Sequence, residues 1–550
     1  MRLAKLSGLI APCFLSLAAA CAVDASEPGG GSGSQTIADE DLVKPEEGKA
    51  DSSVQAVVVD FEWDGEATVD SAWNIESTIE NQLLYTIGHL NADNSVGRLD
   101  KLELTNVKTT DAAGGKKITY HAKMPVAWGK KNNVPTKYEL RIPRDASYNG
   151  YEKFTEKYKA SCVDWGAHDV DSGSMWYYYR PFDSDCRLDA ADIYTASATV
   201  KVSSVNTTGK YPEYNKVWED NLFKTVAIFG KYEDGATASS DAGISAYNEF
   251  VASVKAKFGA QLTTVPATVP VNPGVATPDI EFRATLPDGK KVEIYALLVD
   301  NVRTAGPVFD DRYEALSTTA DFVVYNGHAG LGANIRALAQ KGKWAKGQYA
   351  IFFENGCDSY AYVDSELWQD HAAINPDDPT GTKYLDMIIN AMPAYFRSDS
   401  EATMAFVNGL LAYAEPKTYE QIFKDVDPSQ VILVTGEQDN VFVPGGGGGG
   451  TPVPWTGMSE GGSVAKSKEV RFETPVLAKG SYRFDMTGTG DADLYVRVGS
   501  APTTKLYDCR PYKAGSKESC SLSLNTDSAV HVMVRGWAAS STFKLVGKGQ

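Results

Sequence analysis

Phe322-Val323-Val324-Tyr325-Asn326-Gly327-His328 and Tyr349-Ala350-Ile351-Phe352-Phe353-Glu354-Asn355-Gly356-Cys357 are two versions of one pattern. Each is a short, continuous apolar run closed by a polar turn containing Asn-Gly. Runs of this length, bounded by glycine, read as strands buried on both faces, as parallel sheets require. Cys357 follows His328 by 29 positions, room for a helical crossover around 335–339 and a return strand. A right-handed crossover makes the two strands neighbours or near neighbours. Side chains just beyond the carboxyl ends of such strands share one crevice. The pattern therefore predicts an α/β domain with a mainly parallel sheet, carrying His328 and Cys357 close together.

The flanking sequence extends this domain over 221–443. An apolar strand is expected at 225–229, and Ile244, Tyr247, Val251, Val254 and Phe258 recur at helical spacing. Pro287-Asp288-Gly289-Lys290 is a hairpin turn between strands at 280–286 and 292–299. Helices are expected at 384–392, 401–411 and 419–426, and a strand at 431–434. Upstream, 53–212 reads as α+β, with a strand at 54–61, helical spacing over 75–90 and alternation at 117–123, 137–142 and 196–202. Downstream, Pro444 and six glycines at 445–450 open a linker over 444–463. The remainder, 464–550, is strand-rich and long enough for one small β-sandwich.

The chain has 550 residues, 43% of them hydrophobic, and a formal charge of −18. Such an acidic surface argues against nucleic acid or an anionic membrane face as the main partner. Arg2 and Lys5, an apolar stretch at 6–20 and small residues before Cys21 read as an export signal over 1–21. The ending resembles the lipobox of bacterial lipoproteins, which would make Cys21 the acylated N-terminus and hold the protein at the outer membrane or cell surface. A plain secretory signal cleaved near Ala20 is the alternative. The Gly/Ser-rich 22–52 then acts as a flexible tether.

Export places the chain where disulfides persist. Cys13 leaves with the signal; Cys162 with Cys186, and Cys509 with Cys520, are spaced for local bridges. Cys357 is left over, and an odd thiol in an exported protein invites a reactive role or a buried inert one. The acidic loop between Cys162 and Cys186 has oxygen donors suited to a hard cation. It lacks a recognised ligand spacing, and reads better as a loop over an aromatic core.

A thiol beside an imidazole can ionise and act as a nucleophile. The His-turn and Cys-turn, each after an apolar strand, resemble the caspase-like (clan CD) cysteine peptidases and, among them, the gingipain family. The carriers are Tyr325-Asn326-Gly327-His328, Glu354-Asn355-Gly356-Cys357 and Val431-Ile432-Leu433-Val434-Thr435-Gly436-Glu437. The resemblance implies an endopeptidase that needs no cofactor and forms a thioester acyl-enzyme, with Cys357 as nucleophile and His328 as general base and acid. Backbone N–H groups of Cys357, Ala329 and Gly330 would hold the oxyanion, and Asp300 is the candidate third acid. His328-Ala329-Gly330 departs from the family's His-Gly pair. A protein or peptide is the implied substrate, with 53–212 as prodomain or substrate arm.

Residues 464–550 resemble the bacterial pre-peptidase C-terminal domain through Gly490-Asp491-Ala492-Asp493-Leu494-Tyr495, Tyr507-Asp508-Cys509-Arg510-Pro511-Tyr512 and the stretch 530–537. That resemblance implies association with substrate or surface. Asp491 and Asp493 are candidates for a structural calcium, or simply for a turn. Gly457-Met458-Ser459-Glu460-Gly461 matches a nucleophile elbow formally, but lies in the expected linker without a preceding strand. The competing reading is a non-catalytic surface lipoprotein that binds protein or polysaccharide through its β-rich domains. A third makes 53–212 the functional unit.

Overall fold

The computed structural model describes residues 34–35, 51–71, 74–112, 114–167, 169–444, 455–499, 502–504, 507–524 and 528–549. Cys13 and Cys21 lie outside them. Two compact units form. The first holds the N-terminal and α/β parts, and the second holds the C-terminal sandwich together with 209–221 and 409–418.

The α/β part is built on β1 (Leu222–Gly230), β2 (Thr263–Val265), β3 (Asp279–Thr285), β4 (Lys291–Val299), β5 (Phe322–Asn326), β6 (Ala350–Asn355), β7 (Leu385–Asn390) and β8 (Ile432–Thr435). Their order across the sheet is β2-β3-β4-β1-β5-β6-β7-β8, and Asp51–Ser52 adds a ninth strand beyond β8. The four central pairings, β4·β1, β1·β5, β5·β6 and β6·β7, are parallel. The four outer pairings are antiparallel. The sheet is thus mixed, which corrects the expectation of a mainly parallel one. The hairpin turn at 287–290 reverses one side, and β8 returns against β7 on the other.

Every residue of β5, β6 and β7 is buried. That explains a second correction, because 384–392 was expected to be helical. Leu385-Asp386-Met387-Ile388-Ile389-Asn390 is apolar on both faces as a central strand must be, and such a run carries no period of its own. Helices Ala333–Lys341 and Phe396–Leu410 lie where crossover and helical spacing were read.

The N-terminal part is an antiparallel sheet in the order Ser95–Gly97, Gly115–Trp128, Val57–Val69, Ile193–Val202, Lys137–Pro143. Helices Ile75–Leu83, Tyr85–Asn91 and Tyr148–Tyr158 accompany it. The expected tether is in part paired: Ser34–Gln35 meets Val134–Pro135, and Asp51–Ser52 meets β8.

The second unit contains a sandwich of a four-stranded and a three-stranded sheet. Phe484, Met486, Leu494, Val496, Val532, Val534, Phe543 and Leu545 fill the space between them. Its first strand, Met458–Ala465, begins inside the stretch read as linker. No helix among the described residues is long and apolar enough to cross a membrane.

Candidate functional site

β5 and β6 pair in register through Asn326 and Asn355. The Asn355 amide donates to Asn326 Oδ1 at 2.8 Å, and the Asn390 amide donates to Asn355 Oδ1 at 2.8 Å. The last residues of three adjacent strands are thereby joined side chain to side chain. Helix Phe396–Leu410 closes the row: Asn326 Nδ2 donates to Thr403 Oγ1 at 2.9 Å, and Asn355 Nδ2 also reaches Asp399 Oδ1 at 3.1 Å. Burial pushes the Asp399 carboxyl well above its usual range. Buried amides are costly unless paired, so this row fixes the relative height of the strand ends.

The two functional loops stand on that row. Gly327 has φ 154°, and a Cβ there would sit 2.9 Å from Tyr325 Oη. A Cβ on Gly356 would lie 3.2 Å from the Gly327 carbonyl oxygen and 3.3 Å from Ala329 Cβ. Glycine at these positions lets the loops touch. Tyr325 Oη and Asn334 Nδ2 each donate to the His328 carbonyl at 2.8 Å, holding its backbone while the imidazole stays exposed. Ala329 is buried in the turn, its carbonyl accepting from Gly332 and Asn334 N–H, while Gly330 is exposed.

His328 Nε2 lies 3.0 Å from the Tyr232 carbonyl. A carbonyl only accepts, so Nε2 carries the proton. The ring packs against Tyr232 and Phe396 at centroid distances of 5.2 and 5.0 Å. Cys357 is half-buried, and its thiol donates to the Ala394 carbonyl at 3.5 Å. The structure therefore brings His328 and Cys357 to adjoining loops, and directs each of these protons to a different backbone carbonyl. Asp300 does not orient His328. Its carboxylate accepts from Lys231 Nζ at 2.6 Å and from Gly235 N–H at 3.0 Å. Lys231 holds it below the usual carboxylate range. It braces the loop that presents Tyr232.

Sequence reasoning missed Tyr232, Phe396 and the asparagine row. The row had a signal, Asn-Gly repeated at 326–327 and 355–356, which reads as turn chemistry until the strands are paired.

The other candidates are placed as follows. Cys162–Cys186 and Cys509–Cys520 are disulfides. In the first of these loops Asp164 pairs with Arg180 at 3.2 Å, and Asp171 accepts from Gly173 and Ser174. Asp493 Oδ2 accepts from Arg510 at 2.7 Å and from Trp537 Nε1 at 2.6 Å, and Asp491 Oδ1 accepts from Gly515 N–H. These contacts tie both carboxylates to protein donors in the loop. Among the described residues, no group of three or more His, Cys, Asp or Glu is placed to hold a metal.

Residues 471–536 match the family described as Bacterial pre-peptidase C-terminal domain, and the sandwich is that domain. The neutral protease of Vibrio proteolyticus is 61% identical over 51 residues, 9% of this chain and 8% of that protein. A zinc metalloprotease of Helicobacter pylori is 42% identical over 93 residues, 17% of this chain and 35% of that protein. Alkaline serine exoprotease A of Vibrio alginolyticus is 47% identical over 51 residues, 9% of this chain and 10% of that protein. The chain spans about a third or less of these relatives.

These findings correct the mechanism expected from sequence. The relatives are named for zinc and serine chemistry, so a cysteine-type, gingipain-like endopeptidase with a thioester intermediate is not supported. The roles of Cys357 and His328 as a cysteine-peptidase dyad fall with that mechanism.

Proposed function

We propose that this chain is an exported peptidase-class protein that acts on protein substrates outside the cytoplasm. The observation that carries this reading is the pre-peptidase C-terminal domain at 471–536, shared with proteins named as proteases. The sandwich offers a seat for polypeptide. Tyr507, Tyr512 and Trp537 are 41%, 72% and 49% exposed. They are fixed around Arg510, which lies between the Tyr495 and Tyr512 rings at 4.7 and 4.1 Å and is paired with Asp493. The Cys509–Cys520 bond pins the loop. Rigid exposed aromatics give contact area at little entropic cost.

In the first unit, the crevice formed by Tyr232, His328, Phe396 and the Cys357 loop is proposed to hold an extended segment of substrate. Its glycine turns leave backbone approachable. Acylation at Cys21 would fasten the protein to the outer membrane or cell surface.

Anisotropy of a labelled unfolded protein tests the reading with the full chain. Binding is expected, weakened about tenfold in a Trp537→Ala, Tyr512→Ala double variant, the loss typical of a hot-spot aromatic. Folded wild-type protein that neither binds nor cleaves an unfolded protein overturns it.

A further inference from the structure

We propose that the N-terminal part is held on the α/β part by a latch of buried carboxyl groups, tight in acid and loosened toward alkaline pH. The inference stands on the seam between the two parts of the first unit, independently of the substrate reading. Three carboxyls lie buried there: Asp51, Asp358 and Glu437. Asp358 Oδ1 accepts from Asn91 Nδ2 at 2.9 Å, across the seam. Glu437 Oε1 accepts from the Thr207 hydroxyl, also across it. Asp51 belongs to the short strand that pairs Asp51 with Thr435 and Ser52 with Val434. Ser53 Oγ donates to the Ile432 carbonyl at 2.7 Å, and Arg98 Nη1 donates to Thr435 Oγ1 at 3.0 Å. Trp176 meets Tyr362 at 6.4 Å beside Asp358.

Each carboxyl keeps one buried oxygen without a hydrogen-bond partner: Asp51 Oδ1, Asp358 Oδ2 and Glu437 Oε2. An ionised carboxylate in that condition is expensive. The charges around them do not compensate. Asp358 faces Arg180, Tyr177 and Tyr362, and Arg180 is already paired with Asp164 at 3.2 Å. Asp51 faces Arg98, Asp100, Lys101 and Tyr360. Arg98 lies 4.0 Å from Asp51 but 2.9 Å from Asp100. Glu437 faces Asp386, Glu420 and Asp51, all acidic.

Burial raises the Asp51 and Asp358 carboxyls to about 6, and Glu437 well above its usual range. Groups whose pKa is raised by docking bind protons more tightly when docked. The stabilisation is complete below the ordinary carboxylate range and is lost as pH rises through about 6, and further as Glu437 ionises. Release would uncover the β8 edge and Asp358, the residue after Cys357.

Hydrogen exchange on the full chain tests this, with protection factors taken relative to intrinsic rates at each pH. Between pH 5 and pH 8, protection of segment 432–435 should fall at least about tenfold relative to segment 322–326. A variant with Asp51→Asn, Asp358→Asn and Glu437→Gln should hold that ratio constant. Parallel loss in both wild-type segments, or an unchanged ratio, overturns the latch. If the triple variant fails to fold, the wild-type ratio decides, with Asp358→Asn alone expected to blunt the fall.

Discussion

Replacing Glu354 by Gln should stabilise the protein at neutral pH, by an amount that grows as pH rises. Glu354 sits on β6 at a small cavity lined by Ile335, Arg336, Ala339, Val363, Asp364, Leu367 and Met387. It is 3% exposed, and its Oε2 has no hydrogen-bond partner. Burial, helped by the nearby Asp364 carboxylate, raises its pKa from 4.5 to about 8. At pH 7 the unfolded carboxyl has lost its proton while the folded one retains it. At about 1.4 kcal/mol per pH step between these values, the folded state forfeits about 3 kcal/mol relative to a group that does not titrate. At pH 5 the same penalty is about 1 kcal/mol. Stability contributed by this site is therefore complete below about 4.5 and drains away as pH rises toward 8. Glu354→Gln removes the dependence, and any cost of seating the amide is the same at both pH values. Guanidinium unfolding followed by tryptophan fluorescence at pH 5, 6 and 7 measures the effect. The Gln-minus-Glu stability difference should become more favourable by about 2 kcal/mol from pH 5 to pH 7. A difference flat across that range would refute the reasoning.

Two further perturbations probe other parts of the account. Asn355→Ala removes the donor to Asn326 and Asp399 and the acceptor for Asn390; with buried groups left unpaired, it should cost about 3 kcal/mol or more in the same unfolding experiment. Replacing Cys509 and Cys520 by Ser opens a loop of 11 residues. It should cost the sandwich about 2–3 kcal/mol by scanning calorimetry, without moving the transition of the first unit.

The sequence readings that held were those tied to local chemistry. The apolar runs before His328 and Cys357 had to be buried strands, and Pro287-Asp288-Gly289-Lys290 had to reverse the chain. Loop adjacency also followed, because a crossover between parallel strands leaves few alternatives. The strand at Leu385–Asn390 was misread because a doubly buried strand has no alternation to distinguish it from a buried helix. The edge strand Asp51–Ser52 was hidden in a polar stretch, where two residues supply no pattern. The aromatic wall of Tyr232 and Phe396 draws on positions 96 and 68 residues from His328, a juxtaposition only the fold makes. The chemistry was over-read for a related reason. A His and a Cys at neighbouring strand ends give proximity, but proximity does not assign a mechanism, and the relatives of the C-terminal domain are named for zinc and serine chemistry.

The central claim is tested most directly by cleavage of a quenched, fluorescently labelled unfolded protein by the purified full chain. The account predicts fluorescence release that is retained in a Cys357→Ala variant. No release from folded protein that binds no substrate, or release abolished by Cys357→Ala, would contradict it.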